Sequence, residues 1–246
     1  MKAHHYISLH VFYSGIMHDR RIGGTNGLPL STIGQSHDNP AAFVQEKKTY
    51  LTFYDIITRN LNVRYGECAM GKFLFPNEYY TSTYDIDFEQ LYQLGYRGIM
   101  FDIDNTLVPH DAMSDERSRK LLEEIRRIGF SVCFVSNNGE ARVANFVKEL
   151  HVDGLQDPIY VYKAAKPKPN GYLQGVRKMR LRREQVVFIG DQLLTDIWGA
   201  NNARLTCILV RPVAKDIKLQ IILKRILEKP VLWLYLMKHR LKGPKK

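Results

Sequence analysis

Residues 98–108 read Gly-Ile-Met-Phe-Asp-Ile-Asp-Asn-Thr-Leu-Val, an apolar run that breaks into two acids, an amide and a hydroxyl. A near-continuous apolar run of this length fits a strand buried on both faces of a parallel sheet. In an open α/β sheet, ligands bind beyond the carboxyl ends of the strands. Asp102 and Asp104 fall at that end. Two geometries are open. If the strand continues, residues at i and i+2 face one side; if the chain turns after Asp102, Asp104 folds back over it. Either makes a carboxylate pair suited to a divalent cation and phosphate chemistry. An Asp-x-Asp alone is equally at home in a turn, so the later stretches decide.

The text that follows alternates. Strands are expected near Arg97–Ile103, Ser131–Val135, Ile159–Tyr162, Gln185–Ile189 and Thr206–Val210. Between them lie amphipathic stretches of helical period, one opened by Ser114-Asp115-Glu116 with Leu121, Leu122, Ile125 and Ile128 on one stripe and closed by Gly129. Strands alternating with helices imply an α/β fold with a central parallel sheet of about five strands. Four strand ends carry polar groups: Asp102 and Asp104; Ser136 with Asn137; Lys166 in the loop after the third strand; and Asp191 with Asp196 five residues on. Each has an ordinary explanation by itself. Ser136-Asn137-Asn138 is most often a strand-to-helix turn, a lysine in a loop is most often solvated, and Asp196 suits a helix N-terminus. In a parallel sheet, however, all four ends share one edge and can converge.

The set Asp102-Ile-Asp104-Asn-Thr106, Ser136-Asn-Asn, Lys166-Pro and Gly190-Asp191-Gln-Leu-Leu-Thr-Asp196 resembles the four motifs of the haloacid dehalogenase (HAD) superfamily of phosphatases, in order and in spacing. The text from Phe73 to about Pro212 resembles its subfamily IIIA, the YqeG-type or phosphatidylglycerophosphate phosphatase branch. The resemblance implies a Rossmann-like HAD fold and a Mg²⁺-dependent phosphatase. It implies Asp102 as the nucleophile that forms an aspartyl-phosphate and Asp104 as the acid/base. Mg²⁺ would be held by Asp102, the backbone carbonyl of Asp104, and Asp191, with Asp196 acting behind them. Thr106, Ser136, Asn137 and Lys166 are the implied phosphate-binding residues. His110 and Asp111, just after the acidic pair, are read as ordinary loop residues.

From Asp104 to Ser136 is 136 − 104 = 32 residues, and from Ser136 to Lys166 is 166 − 136 = 30, each filled by one helix and one strand. Neither interval has room for a cap domain, so the site is expected to be open and to admit a phosphate presented by a large body.

The formal net charge is +11. From Arg211 onward eleven Lys/Arg face Asp216 and Glu228, which is +9 in the tail. Such a segment seeks an anionic surface. Leu219, Ile222, Leu223 and Ile226 follow helical spacing, and after Pro230 comes Val231-Leu-Trp-Leu-Tyr-Leu-Met237. Residues 213–246 are therefore expected as a basic amphipathic helical tail, which either lies on an anionic membrane or packs on the domain. On the membrane reading, cutting after Val210 spares hydrolysis of small soluble esters, since all four motifs precede the cut. Nucleic acid is the lesser candidate partner.

The three cysteines, Cys68, Cys133 and Cys207, form no Cys-x-x-Cys pair, which fits a reducing cytoplasm and no zinc site. No run of eighteen apolar residues exists, and peripheral contact with the inner face of a membrane is the expected membrane relation. Residues 1–69 lack sustained periodicity and lie outside the resemblance. They read either as a loosely ordered extension or as sequence upstream of a true start at Met70, with the phosphatase domain at 70–212. The functional expectation is hydrolysis of a phosphomonoester, with phosphatidylglycerophosphate as the substrate the resemblance implies. The alternatives are a soluble phosphatase of sugar phosphates or nucleotides, and an RNA- or protein-binding protein on the same fold.

Overall fold

The computed structural model describes residues 73–216, 218–239 and 243–245. The expectations for residues 1–69 lie outside them. The sheet has six strands: β1 Glu78–Tyr80, β2 Gly98–Phe101, β3 Ser131–Val135, β4 Ile159–Val161, β5 Val186–Gly190 and β6 Thr206–Val210. Their order is β1-β6-β5-β2-β3-β4, every neighbouring pair parallel. From β2 the chain goes to β3 on one side and returns later to β5 on the other. That reversal is the topological switch point, where an open α/β sheet forms its crevice. The five expected strands are present, and β1 adds a sixth at the edge.

The helices are α1 Phe88–Gln93, α2 Glu116–Ile128, α3 Glu140–Lys148, α4 Asn170–Met179, α5 Trp198–Asn202 and α6 Leu219–Lys238. Strand side chains alternate between two cores. Ile99, Phe101, Phe134, Ile189 and Val210 pack with Leu122 and Ile125 of α2 and Phe146 of α3. Met100, Cys133, Phe188 and Cys207 point the other way, onto Tyr172 and Val176 of α4 and Ala200 of α5. Asp115 caps α2, accepting from the Ser118 N–H at 2.7 Å, and Gly129 ends it at φ 112°. The intervals 104–136 and 136–166 hold only α2 with β3 and α3 with β4, so no cap domain is inserted.

The described residues of the tail form the helix α6 and, at Lys245, a backbone bridge to Tyr80 of β1. α6 runs through Pro230, which removes an N–H and strains the turn before it, at about 3 kcal/mol. Val231 and Tyr235 sit in the same core as Phe188 and Cys207, and Tyr235 stacks edge-on against Phe75 at 5.6 Å. Burying two side chains of this size contributes about 1.5–3 kcal/mol each, enough to offset the proline. The second half of α6 is therefore a structural layer of the domain. Among the described residues no helix is long and apolar enough to cross a membrane.

Candidate active site

β2 ends at Phe101, and of the two geometries open from the sequence the chain takes the turn. The Asp102 N–H still donates to the Ile189 carbonyl of β5 at 3.0 Å, but Thr106 and Leu107 donate back to Ile103, and Asn105 sits at φ 61°. Asn tolerates this left-handed backbone better than most residues. The turn leaves Asp102 just past the carboxyl end of β2, with Asp104 near enough for its charge to act on Asp102.

Asp102, Asp191 and Asp196 are all buried, and one carboxylate oxygen of each lies within 4.8 Å of the others. Asp191 follows β5, the strand beside β2. Asp196 follows in the short π-type turn Leu193–Ile197, its second oxygen accepting the Gln192 N–H at 3.0 Å. A Cβ on Gly190 would meet the Cβ of Asp196 at 2.6 Å, so only glycine lets that carboxylate press over the end of β5. Lys166 reaches in from the loop after β4, donating to Asp102 at 2.6 Å and to Asp196 at 2.7 Å.

Burial pushes the Asp102 carboxyl up to about 7, against the pull of Lys166 and with the push of Asp196. Asp191 rises well above the usual carboxylate range for the same first reason, countered by Arg225. Burial alone would lower Lys166, but Asp102 and Asp196 outweigh it and its pKa is raised. Five acids (Asp102, Asp191, Asp196, Asp216 and Glu228) thus face two cations (Lys166 and Arg225), with Asp216 and Arg225 half-buried and the rest buried. Hard oxygen donors with excess negative charge fit a divalent cation such as Mg²⁺.

The other expected residues divide. Ser136 is buried at the end of β3. Its Oγ accepts the Asn138 N–H at 3.1 Å, which leaves its hydroxyl hydrogen to donate. Thr106 donates its hydroxyl to Asp191 at 3.3 Å, so it supports a carboxylate. The Asn137 amide is spent on the backbone of Lys166, accepting its N–H at 2.7 Å and donating to its carbonyl at 3.3 Å. That makes its side chain a clamp on the lysine loop. Asp104 is not one of the three clustered acids.

Asp104 is held by residues the motif reading left aside. Asn138 Nδ2 donates to one oxygen; Arg142 of α3 donates at 3.1 Å and the Asp111 N–H at 3.0 Å to the other. His110, read as a plain loop residue, has its Nδ1 4.0 Å from Asp104. Asn138 was legible from its place in Ser-Asn-Asn. Arg142 had only its position one turn further along the following helix.

Arg225 is the larger omission. It lies on α6, among lysines that read as solvated or lipid-facing, yet its guanidinium donates to the Asp191 carboxylate and carbonyl, to Asp216 at 3.0 Å and to Glu228 at 3.1 Å. Asp216 accepts from Asn105 at 2.6 Å, and Glu228 from the Leu194 N–H at 3.0 Å. The tail therefore reaches the site. The expectation that cutting after Val210 spares soluble substrates does not survive this contact.

A haloacid dehalogenase-like hydrolase family model matches residues 112–204, a stretch that begins after Asp104. The probable phosphatase YqeG of Bacillus subtilis (strain 168) is 38% identical over 148 residues, covering 60% of this chain and 83% of that protein. Two solved structures are similar at 14% identity. One is an uncharacterized protein from Listeria monocytogenes serotype 4b, with TM-score 0.37, covering 58% of this chain and 99% of that one. The other is the magnesium-bound putative HAD-hydrolase YfnB from Bacillus subtilis, with TM-score 0.33, covering 54% and 99%.

Proposed function

The chain belongs to the haloacid dehalogenase-like hydrolases, and on that premise we propose that it is a Mg²⁺-dependent phosphomonoesterase working through an aspartyl-phosphate on Asp102. The observation that carries this reading is the Asp102 carboxylate, buried at the carboxyl end of β2, 2.6 Å from the Lys166 ammonium and clustered with Asp191 and Asp196.

An oxygen of Asp102 attacks phosphorus in line with the ester bond, and the bond to the leaving oxygen breaks. Asp104, steadied by Asn138 and Arg142, gives its proton to that oxygen. Water then attacks the aspartyl-phosphate, Asp104 takes the water's proton, and inorganic phosphate leaves with the Asp102 carboxylate restored. Lys166 and the Ser136 hydroxyl bind the equatorial oxygens. Asp102, Asp191 and the Asp104 carbonyl would hold Mg²⁺, which supplies neutralising charge for the phosphoryl group.

For the substrate we take phosphatidylglycerophosphate, a terminal phosphomonoester at a lipid surface, hydrolysed to phosphatidylglycerol. Two features support it: the lack of a cap domain inserted between the described motifs, and an outward stripe on α6. Leu219, Ile222 and Ile226 share one helix face and are 69%, 38% and 54% exposed, amid the basic tail. The competing readings are a phosphatase of soluble sugar phosphates or nucleotides, and a binding protein on the same fold. Phosphate release is to be measured with and without Mg²⁺ on the lipid in anionic vesicles and on a panel of soluble phosphomonoesters. Fastest release from the vesicles is the expected result. Faster release from a soluble ester would replace the substrate assignment, and no release from any would overturn the enzymatic reading.

A further inference from the structure

We propose that Arg225 is a positioning residue for the metal-binding carboxylate Asp191, so that the C-terminal helix completes the metal site. The inference rests on the metal-dependent reading above. Arg225 makes two kinds of contact. Its bonds to Asp216 and Glu228 hold the guanidinium itself, and they alone would suffice to dock α6. Its bonds to Asp191 go further, because they engage both the carboxylate oxygen Oδ2 and the backbone carbonyl of a fully buried residue. Thr106 donates to the other oxygen, Oδ1. With a donor on each oxygen the plane of the carboxylate is fixed, while each oxygen keeps a second lone pair for a cation.

The same network reaches the flanking ligands. Asp216 ties Arg225 to Asn105, in the turn after Asp102 and Asp104. Glu228 ties it to the N–H of Leu194, in the turn that carries Asp196. One guanidinium thereby registers the segment after β2, the segment after β5 and α6. Arginine suits this task and lysine does not, since the four bonds, two to Asp191 and one each to Asp216 and Glu228, exceed the three donors of an ammonium. Partners that orient metal ligands typically matter by 10–100-fold in metal affinity when removed.

The test is calorimetric titration of the metal-free full chain with Mg²⁺, repeated with Mn²⁺. Arg225→Met is expected to weaken both ions by about tenfold or more. Arg225→Lys should lose nearly as much, because the charge remains and the fork does not. Asp216→Asn, which leaves Arg225 in place but loosens it, should lose less. In turnover assays raised Mg²⁺ should restore kcat of Arg225→Lys toward wild type with KM for the phosphoester unchanged, a rescue that a merely structural role would not give. Thermal melts identify variants that do not fold, and if Arg225→Met is one, Arg225→Lys and Asp216→Asn carry the test. Unchanged affinity in a cooperatively melting variant would overturn the proposal, and tighter binding would make Arg225 a competing cation instead. If the wild type binds neither ion, the metal reading itself fails, and this inference with it; if the wild type and Arg225→Met bind alike while Asp191→Asn does not, the metal reading stands and only this inference fails.

Discussion

The ammonium of Lys166 lies 2.6 Å from a carboxylate oxygen of Asp102, with the two side chains only 4% and 9% exposed. Removing one member of such a buried pair leaves the other uncompensated, at a cost of about 3–5 kcal/mol. Lys166→Met is expected to destabilise the metal-free protein by that order and to abolish turnover. Mg²⁺ should restore part of the stability, since a cation would again face Asp102 and Asp196, but not the activity. Denaturant unfolding with and without Mg²⁺ checks this, and an unchanged midpoint in the metal-free protein would contradict it.

The same burial makes stability depend on pH in a stated direction. Asp102 titrates near 4 when unfolded and is pushed up to about 7 when folded, chiefly by desolvation. A group whose folded pKa is raised favours the fold below its unfolded value, and that contribution is lost as pH rises through the folded value. Asp191 and Glu228 are raised too, by burial first, so they act in the same sense. Metal-free protein should melt lower at pH 7.5 than at pH 5. Added Mg²⁺ should raise the melt far more at pH 7.5, where the carboxylates are ionised. Melts in chelator that rise steadily from pH 5 to 7.5 would refute the assignment.

Asp102→Asn is expected to eliminate turnover while keeping the fold. A carboxamide is a poor nucleophile and cation ligand, yet Lys166 retains Asp196 at 2.7 Å and the crowding of acids is relieved. Asp104→Asn is expected to lower the rate by about a hundredfold or more through loss of proton transfer. It also sets an amide NH₂ among the donors Asn138, Arg142 and the Asp111 N–H. One donor then faces another, so a stability loss of about 1–3 kcal/mol should accompany the kinetic loss. An unaltered rate and pH profile for Asp104→Asn would remove it from the acid/base role.

What could be read from the amino acids followed from how each signal is generated. β2, β3, β5 and β6 are buried on both faces and announce themselves as apolar runs. β1 has a single buried residue, Tyr79, between Glu78 and Tyr80, and three residues at a sheet edge leave no period to detect. The meeting of Asp102, Lys166, Asp191 and Asp196 was legible because parallel strands put their carboxyl ends on one edge. Individual tasks were not: Asn137 and Ser136 are neighbours, and only the packed loop shows that one amide is consumed by the Lys166 backbone. Pro230 reads locally as a helix stop, and nothing nearby reveals the core waiting for Val231 and Tyr235. Arg225 is one cation among many in the tail; its partner Asp216 shares that tail, but its partner Asp191 and Asp216's own partner Asn105 come from other segments. Long-range ion pairs have no sequence period.

The two sides of α6 can be separated by experiment. Cutting after Val210 removes Arg225 and Glu228 from the site and Val231 and Tyr235 from the core. It is therefore expected to lower the melt and to abolish hydrolysis of soluble and lipid substrates alike. The outward stripe is different, because Leu219, Ile222 and Ile226 are exposed. Replacing all three with Gln keeps helix propensity nearly constant and leaves the site and the core untouched. The melt and the hydrolysis of a small soluble phosphomonoester should then stay at wild-type levels. Hydrolysis of phosphatidylglycerophosphate in anionic vesicles should fall by an order of magnitude or so, if the stripe seats the domain on lipid. High salt should reduce vesicle hydrolysis by the wild type as well, since exposed charges are screened over about 8 Å at physiological ionic strength. The triple variant should then lose most of what binding remains, because its apolar contribution is gone. Vesicle hydrolysis unaffected by both the triple substitution and salt would dismiss the lipid surface as the partner of this face, while leaving the phosphatase chemistry of Asp102 standing.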